Sequence, residues 1–173
     1  MTAYQWLHGL IMAELAVRMD GPYDERHLHT MNDMNDLDVE RATSADAAAV
    51  IALWQACRLT RPWNDPATDY ARAMAGAHST VLVMRAGASI AASVMVGEDG
   101  HRGWVYYLAV APDRRRAGLG ARMMAAAESW LRTRGVPKIQ LMVREGNDEG
   151  LAFYEALGLE RQPVVKLGRF LGE

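Results

Sequence analysis

Arg115-Arg116-Ala117-Gly118-Leu119-Gly120 follows the apolar run Trp104-Val105-Tyr106-Tyr107-Leu108-Ala109-Val110-Ala111, and an amphipathic helix begins near Leu119. The β-branched and aromatic residues of the run make it strand-like. Beyond the glycines, Leu119, Met123, Ala127, Trp130 and Leu131 recur at helical spacing until Gly135 and Pro137 end the pattern. A strand that turns into a helix through glycines leaves several N–H groups unpaired at the positive end of the helix dipole. No side chain stands in front of them. Such a loop is an anion site, suited to phosphate or pyrophosphate.

Outward from this loop the pattern is regular. Downstream, residues 139–143 read as a strand, 148–157 as a helix stopped by Gly158, and 164–170 as a last strand. Upstream, residues 37–42 read as a short strand, and Ser44 caps a helix whose apolar face is Val50, Leu53, Trp54 and Cys57. Asp65-Pro66 is a cap plus first-turn proline that opens a second helix through Ala77. Residues 80–84 and 89–96 are strands around an Ala86-Gly87 turn, and Asp99-Gly100 marks another turn. The order βααβββαβαβ predicts an α/β fold. Its central sheet is mixed and mostly antiparallel, flanked by helices, with parallel pairing across the long helix.

Residues 1–36 stand apart as an extension to a functional domain over 37–173. Trp6, Leu7, Leu10, Ile11 and Leu15 have helical spacing, Gly21-Pro22 stops that helix, and residues 24–36 form a polar linker. His27 and His29 lie near Asp24 and Glu25, but a solvated linker explains them better than a ligand set, and no metal is expected. The apolar stretch 4–17 carries Glu14 and no basic residue ahead of it, unlike a signal peptide, and no run has the length of a membrane span. A single cysteine, Cys57, suits a reducing compartment, so a cytoplasmic protein is expected. The net charge of −2 gives no electrostatic case for nucleic acid or an anionic membrane as partner.

Three nucleotide readings compete for the glycine loop. A P-loop needs Gly-x-x-x-x-Gly-Lys-Ser/Thr, which does not occur. A dinucleotide fingerprint needs a third Gly or Ala where Met123 stands, and an acidic residue about 20 positions on, where Lys138 stands. The third reading accounts for more of the chain. Val110-x-Pro112 followed by Arg115-x-x-Gly118-x-Gly120 resembles the acetyl-CoA signature of the GCN5-related N-acetyltransferases. Asn147, Tyr154 and Gly158-Leu159 resemble that family's second block, with Leu159 where an aromatic residue is usual. Segments 61–66, 99–103 and 142–145 are similar to the bacterial YpeA-type subgroup, and residues 1–36 lie outside the resemblance.

The resemblance implies an acetyl-CoA-dependent N-acetyltransferase in which an amine attacks the acetyl carbonyl directly. It implies that main-chain amides of Arg116, Ala117, Gly118, Leu119, Gly120 and Ala121 hold the pyrophosphate, with Arg115 and Arg116 adding attraction for phosphate. Leu108, Ala109 and Val110 would pair the pantetheine arm as an added strand, in a splay between their strand and residues 139–143. The Val110 N–H would polarise the carbonyl, and Tyr154 would protonate the leaving thiolate. Asn147 would bond the pantetheine, cap the last helix, or both.

No carboxylate occupies residues 103–106, where many relatives carry a general base. His101, whose imidazole can accept a proton, could act through water; a turn histidine without a role is the alternative. Arg61, Trp63, Asn64 and Asp65 lie where the family builds its acceptor pocket. They would suit a small molecule carrying a carboxylate and an amine, or else form a capping turn. The acceptor is a small-molecule or peptide amine, with the small molecule preferred, and the last strand leaves room for a homodimer. A non-catalytic acyl-CoA-binding or sensing module of the same fold is the alternative function. Cys57 reads as a buried helix residue rather than a nucleophile.

Overall fold

The computed structural model describes residues 37–171. The helix and linker read in residues 1–36 lie outside the described residues. Strand β1 (Val39–Arg41) leads through a short 3-10 turn into helices α1 (Ala47–Ala56) and α2 (Pro66–Ala75). Strands β2 (Ser79–Ala86), β3 (Ser89–Glu98) and β4 (Gly103–Val110) follow, then helix α3 (Leu119–Arg132), strand β5 (Ile139–Leu141) and helix α4 (Asp148–Ala156). The sheet runs β1-β2-β3-β4-β5; its first three pairings are antiparallel and the last, β4 with β5, is parallel. The strand expected over 164–170 does not form. Val164, Val165, Leu167 and Phe170 are 74–89% exposed, and Lys166, Gly168 and Arg169 interrupt any alternating face that a strand could bury.

Alternation along the strands sorts the core onto the two faces of the sheet. Val81 and Val83 join Val50, Leu53, Trp54, Tyr70 and Ala73 beneath α1 and α2. Leu82, Met84, Val94, Val96 and Val105 meet Leu119, Met123, Met124, Ala127 and Leu131 of α3 on the other face. Trp54 is fully buried and donates its indole N–H to Ser93 Oγ at 3.1 Å, so its one polar atom is satisfied inside the core.

The first cap lies one residue earlier than Ser44. Thr43 and Asp46 form a capping box, with Asp46 Oδ2 accepting from the Thr43 backbone N–H at 2.7 Å and from Thr43 Oγ1 at 2.9 Å. The same oxygen accepts from Arg85 of β2 at 2.8 Å. Asp46 is buried, and Arg85 followed by the Thr43 contacts holds its carboxyl far below the ordinary carboxylate range. One carboxylate therefore ties the start of α1 to the sheet. Asp46→Asn should lower stability by about 1–3 kcal/mol in urea unfolding at pH 7. The depressed pKa makes this contribution full above the unfolded-state value of about 4, and it is lost as pH falls below it. The stability gap between wild type and variant should therefore narrow in acid.

Candidate active site

Strand β4 has neighbours on both sides for only part of its length. Gly103, Trp104 and Val105 pair with Ile139, Gln140 and Leu141, and β5 then ends. From Tyr106 to Val110 the edge of β4 away from β3 has no strand partner among the described residues. Ala111 N donates to Ala91 O on the β3 side at 2.9 Å, so strand alternation turns the N–H and C=O of Val110 toward the open edge. The Val110 carbonyl accepts there from Cys57 Sγ at 3.2 Å, which assigns the half-buried thiol a structural contact.

The β3–β4 register also shifts. Met95 faces Tyr106 and Ser93 faces Ala109, so Tyr107 and Leu108 together oppose Val94. This bulge gives Tyr107 a φ of 50°, a left-handed conformation that a tyrosine adopts only under tertiary restraint. The restraint is visible. The Tyr107 ring stacks on Trp54 at 4.2 Å and 14°, and its hydroxyl donates to Asp69 Oδ2 at 2.7 Å. Burial, then the Asp69 carboxylate, pushes the phenol up to about 12.

The bulge turns Tyr106 and Tyr107, neighbours in sequence, into the lining of one cavity of about 350 Å³ under α2. Asn64, Asp69, Arg72, Ser79 and Met95 line it too. Of the residues proposed for acceptor binding, only Asn64 reaches it. Asp65 instead caps α2 through Ala67 N and Thr68 N, Arg61 closes its own loop on the carbonyls of Arg58 and Thr60, and Trp63 stands 58% exposed. Sequence reasoning missed Asp69, Arg72, Tyr106 and Tyr107. Strict alternation puts the two tyrosines on opposite faces, and the bulge that overrides it has no glycine to announce it.

At the far end of β4, Gly118 (φ 76°) is the N-cap of α3 and Arg116 is also left-handed at 65°. The backbone N–H groups of Arg115, Arg116, Ala117, Gly118, Leu119, Gly120 and Ala121 meet no acceptor among the described residues. The first bond of the helix is Arg122 N to Gly118 O. Leu119 is buried in the core, which fixes the direction of the exposed donors. A Cβ at Gly120 would lie 3.2 Å from the Phe153 ring, so glycine here also admits α4 against the loop.

Asn147 caps α4 by accepting from Gly150 N at 3.1 Å through Oδ1, leaving its NH₂ group available. Tyr154, next to Phe153 on α4, packs against the α3-side core; burial raises its pKa, and its hydroxyl has no hydrogen-bond partner among the described residues. His101 sits in the exposed Asp99–Arg102 turn. It precedes β4, and none of its atoms is among the cavity lining. The structure does not bring His101 to the cavity. Among the described residues no group of His, Cys, Asp and Glu could hold a metal ion, and no helix is long and apolar enough to cross a membrane.

The model of the Acetyltransferase (GNAT) family matches residues 48–159, and the chain belongs to that family of N-acetyltransferases. A protein named acetyltransferase from Pectobacterium atrosepticum is 45% identical over 128 residues, 74% of this chain and 91% of that one. A second, from Yersinia enterocolitica, is 41% identical over 135 residues, 78% and 96% of the two chains. The fold resembles AAC(6')-Iy in complex with the bisubstrate analog CoA-S-monomethyl-acetylneamine, with a TM-score of 0.67 at 15% identity over 78% of this chain and 97% of that one. It also resembles the ribosomal-protein-S18-alanine N-acetyltransferase of Escherichia coli, with a TM-score of 0.60 at 23% identity over 70% and 76%.

Tyr107 separates the contributions that hold the bulge. Tyr107→Phe keeps the stack on Trp54 and loses the bond to Asp69, at a cost of about 0.5–1.5 kcal/mol. Tyr107→Ala loses both, at a cost of about 3–5 kcal/mol. Urea denaturation should rank the two in that order; equal costs would remove the stack from the account.

Proposed function

We propose that this chain transfers an acetyl group from acetyl-CoA directly to the amine of a small molecule. The observation that carries this reading is the pair of main-chain donor sets left unpaired, one on the open edge of β4 and one from Arg115 into the start of α3. Amides at a helix start suit a pyrophosphate, and an unpaired strand edge suits a pantetheine amide chain laid beside it. The fit is by main chain, so it needs small residues at Ala117, Gly118 and Gly120 more than it needs particular charges. Arg115 and Arg116, both exposed, add long-range attraction for phosphate.

In this reading the acceptor nitrogen attacks the acetyl carbonyl from the cavity beside Tyr106 and Tyr107. The Val110 N–H donates to the carbonyl oxygen as negative charge develops on it. As the carbon–sulfur bond breaks, Tyr154 Oη gives its proton to the thiolate. Burial raises the Tyr154 pKa, keeping the phenol protonated and available as a donor at neutral pH. With His101 outside the cavity lining, the acceptor attacks as the neutral amine, and the proton on the nitrogen of the tetrahedral adduct leaves to water at the cavity mouth. The cavity volume lies at the small end of the roughly 300–1,000 Å³ typical of ligand pockets, which favours a small acceptor over a folded protein.

Thiol release from acetyl-CoA, followed across a panel of amines, amino acids, polyamines, aminoglycosides and peptides, tests the reading. Tyr154→Phe should lower kcat about 10²-fold or more with acetyl-CoA affinity nearly unchanged; a wild-type kcat in that variant would end the acid role. Gly120→Glu places charge and bulk among the unpaired donors and should abolish acetyl-CoA binding by calorimetry. A variant with native circular dichroism and unchanged affinity would move the phosphate site elsewhere. Tight acetyl-CoA binding with no acceptor turned over would favour a sensing module instead.

A further inference from the structure

The cavity under α2 has two charged side chains, and they have opposite signs. Asp69 and Arg72 stand three residues apart on α2, which places them on the same face of the helix at neighbouring turns. Asp69 lies on the inner side, where Oδ2 takes the Tyr107 hydroxyl and leaves Oδ1 without a hydrogen bond among the described residues. Arg72 has no hydrogen bond and no ion pair among the described residues, and in particular none with Asp69. Arg41 bonds Thr80 Oγ1 and the Met74 carbonyl, and Arg85 bonds Glu40 and Asp46; Arg144 acts electrostatically on Tyr107 but is not part of the cavity lining.

We infer that this cavity selects small amino carboxylates, binding their ammonium at Asp69 beside the β4 bulge and their carboxylate at Arg72. The inference rests on the acetyl-transfer reading for the purpose of the site, but its recognition chemistry stands on the cavity alone. A carboxylate and a guanidinium held one helical turn apart match a ligand whose two charges are separated by a few bonds. A diamine or polyamine brings a second cation against Arg72, and a dicarboxylate without an amine brings an anion against Asp69. A peptide N-terminus offers an ammonium with no carboxylate at the required separation.

Asn64 and the half-exposed hydroxyl of Tyr106 supply the remaining polar contacts, and Met95 gives an apolar floor for a short side chain. Asp69 would hold the amine where Tyr107 enters the bulge, one residue before the segment from Leu108 to Val110. The bond from Tyr107 holds the carboxylate in place, so Tyr107 is a positioning residue rather than a catalytic one.

Binding measured without turnover tests the inference. Calorimetry of the full chain in the presence of CoA would compare short amino carboxylates, β-alanine and 4-aminobutyrate among them, with the matched alkylamines that lack the carboxylate. The amino carboxylates should bind about tenfold to a hundredfold more tightly. Arg72→Gln should erase that difference while leaving the alkylamine affinities where they were, and Arg72→Glu should reverse it in favour of diamines. Arg72 is exposed, so both variants should keep the wild-type circular dichroism spectrum. Equal affinity for the two ligand series, or a preference that survives Arg72→Gln, would overturn the inference. Acetyl transfer to alkylamines or peptides would then still stand. Amino carboxylates bound as described, with no acetyl-CoA binding, would instead overturn the acetyl-transfer reading and leave this one.

Discussion

Strand β4 is partnered on both sides through Val105 and on one side after it, and the candidate site follows from that single change. A sheet strand with a free edge keeps half of its main-chain donors and acceptors for something other than itself. In most folds such an edge lies at the rim. Here it faces the interval left where β5 stops at Leu141, and it runs directly into a helix start whose donors are also unpaired. Two sets of unpaired groups, each common alone, are joined by the short 3-10 turn Pro112–Arg114, whose own bonds (Ala111 N to Ala91 O, Arg114 N to Ala111 O) hold the two segments in fixed relation.

The bulge at Tyr107 and Leu108 is the second consequence of the same strand. A left-handed tyrosine costs on the order of 1–3 kcal/mol and persists where its surroundings over-determine it. Trp54 beneath and Asp69 beside it do this, and each is fixed in turn: Trp54 by burial and Ser93, α2 by its Asp65 cap. The helices α1 and α2 thus hold the shape of the cavity, whereas α3, on the opposite face, anchors the glycine loop through Leu119 and its buried row. One sheet keeps the two binding regions in register.

Much of this was legible in the sequence for identifiable reasons. Asp65-Pro66 opens α2 because a carboxylate cap followed by a proline satisfies two requirements of a helix start in adjacent positions. The glycine loop and α3 follow from spacing alone. Departures arose where tertiary contact overrides local preference. The first cap sits at Thr43 rather than Ser44 because Asp46, three residues on, closes a capping box with Thr43, which Arg85 of β2 then reinforces. The apolar residues of 164–170 suggested a strand that the described residues do not form. The cavity was least legible. Its location depends on a register shift between β3 and β4, which no residue in either strand signals, and its charges, half-buried Asp69 and exposed Arg72, carry no motif that marks them.

Gly120 and Phe153 touch across the site, and this contact gives the loop a mechanical role. Phe153 precedes Tyr154 on α4, with the two rings edge-to-face at 5.0 Å. The loop that would grip the distal end of the donor is therefore the bearing surface against which the proposed proton donor is seated. A side chain at position 120 would press on Phe153, the ring that Tyr154 packs against. Segments distant along the chain, the start of α3 and the middle of α4, thus meet at a spot where only glycine leaves room.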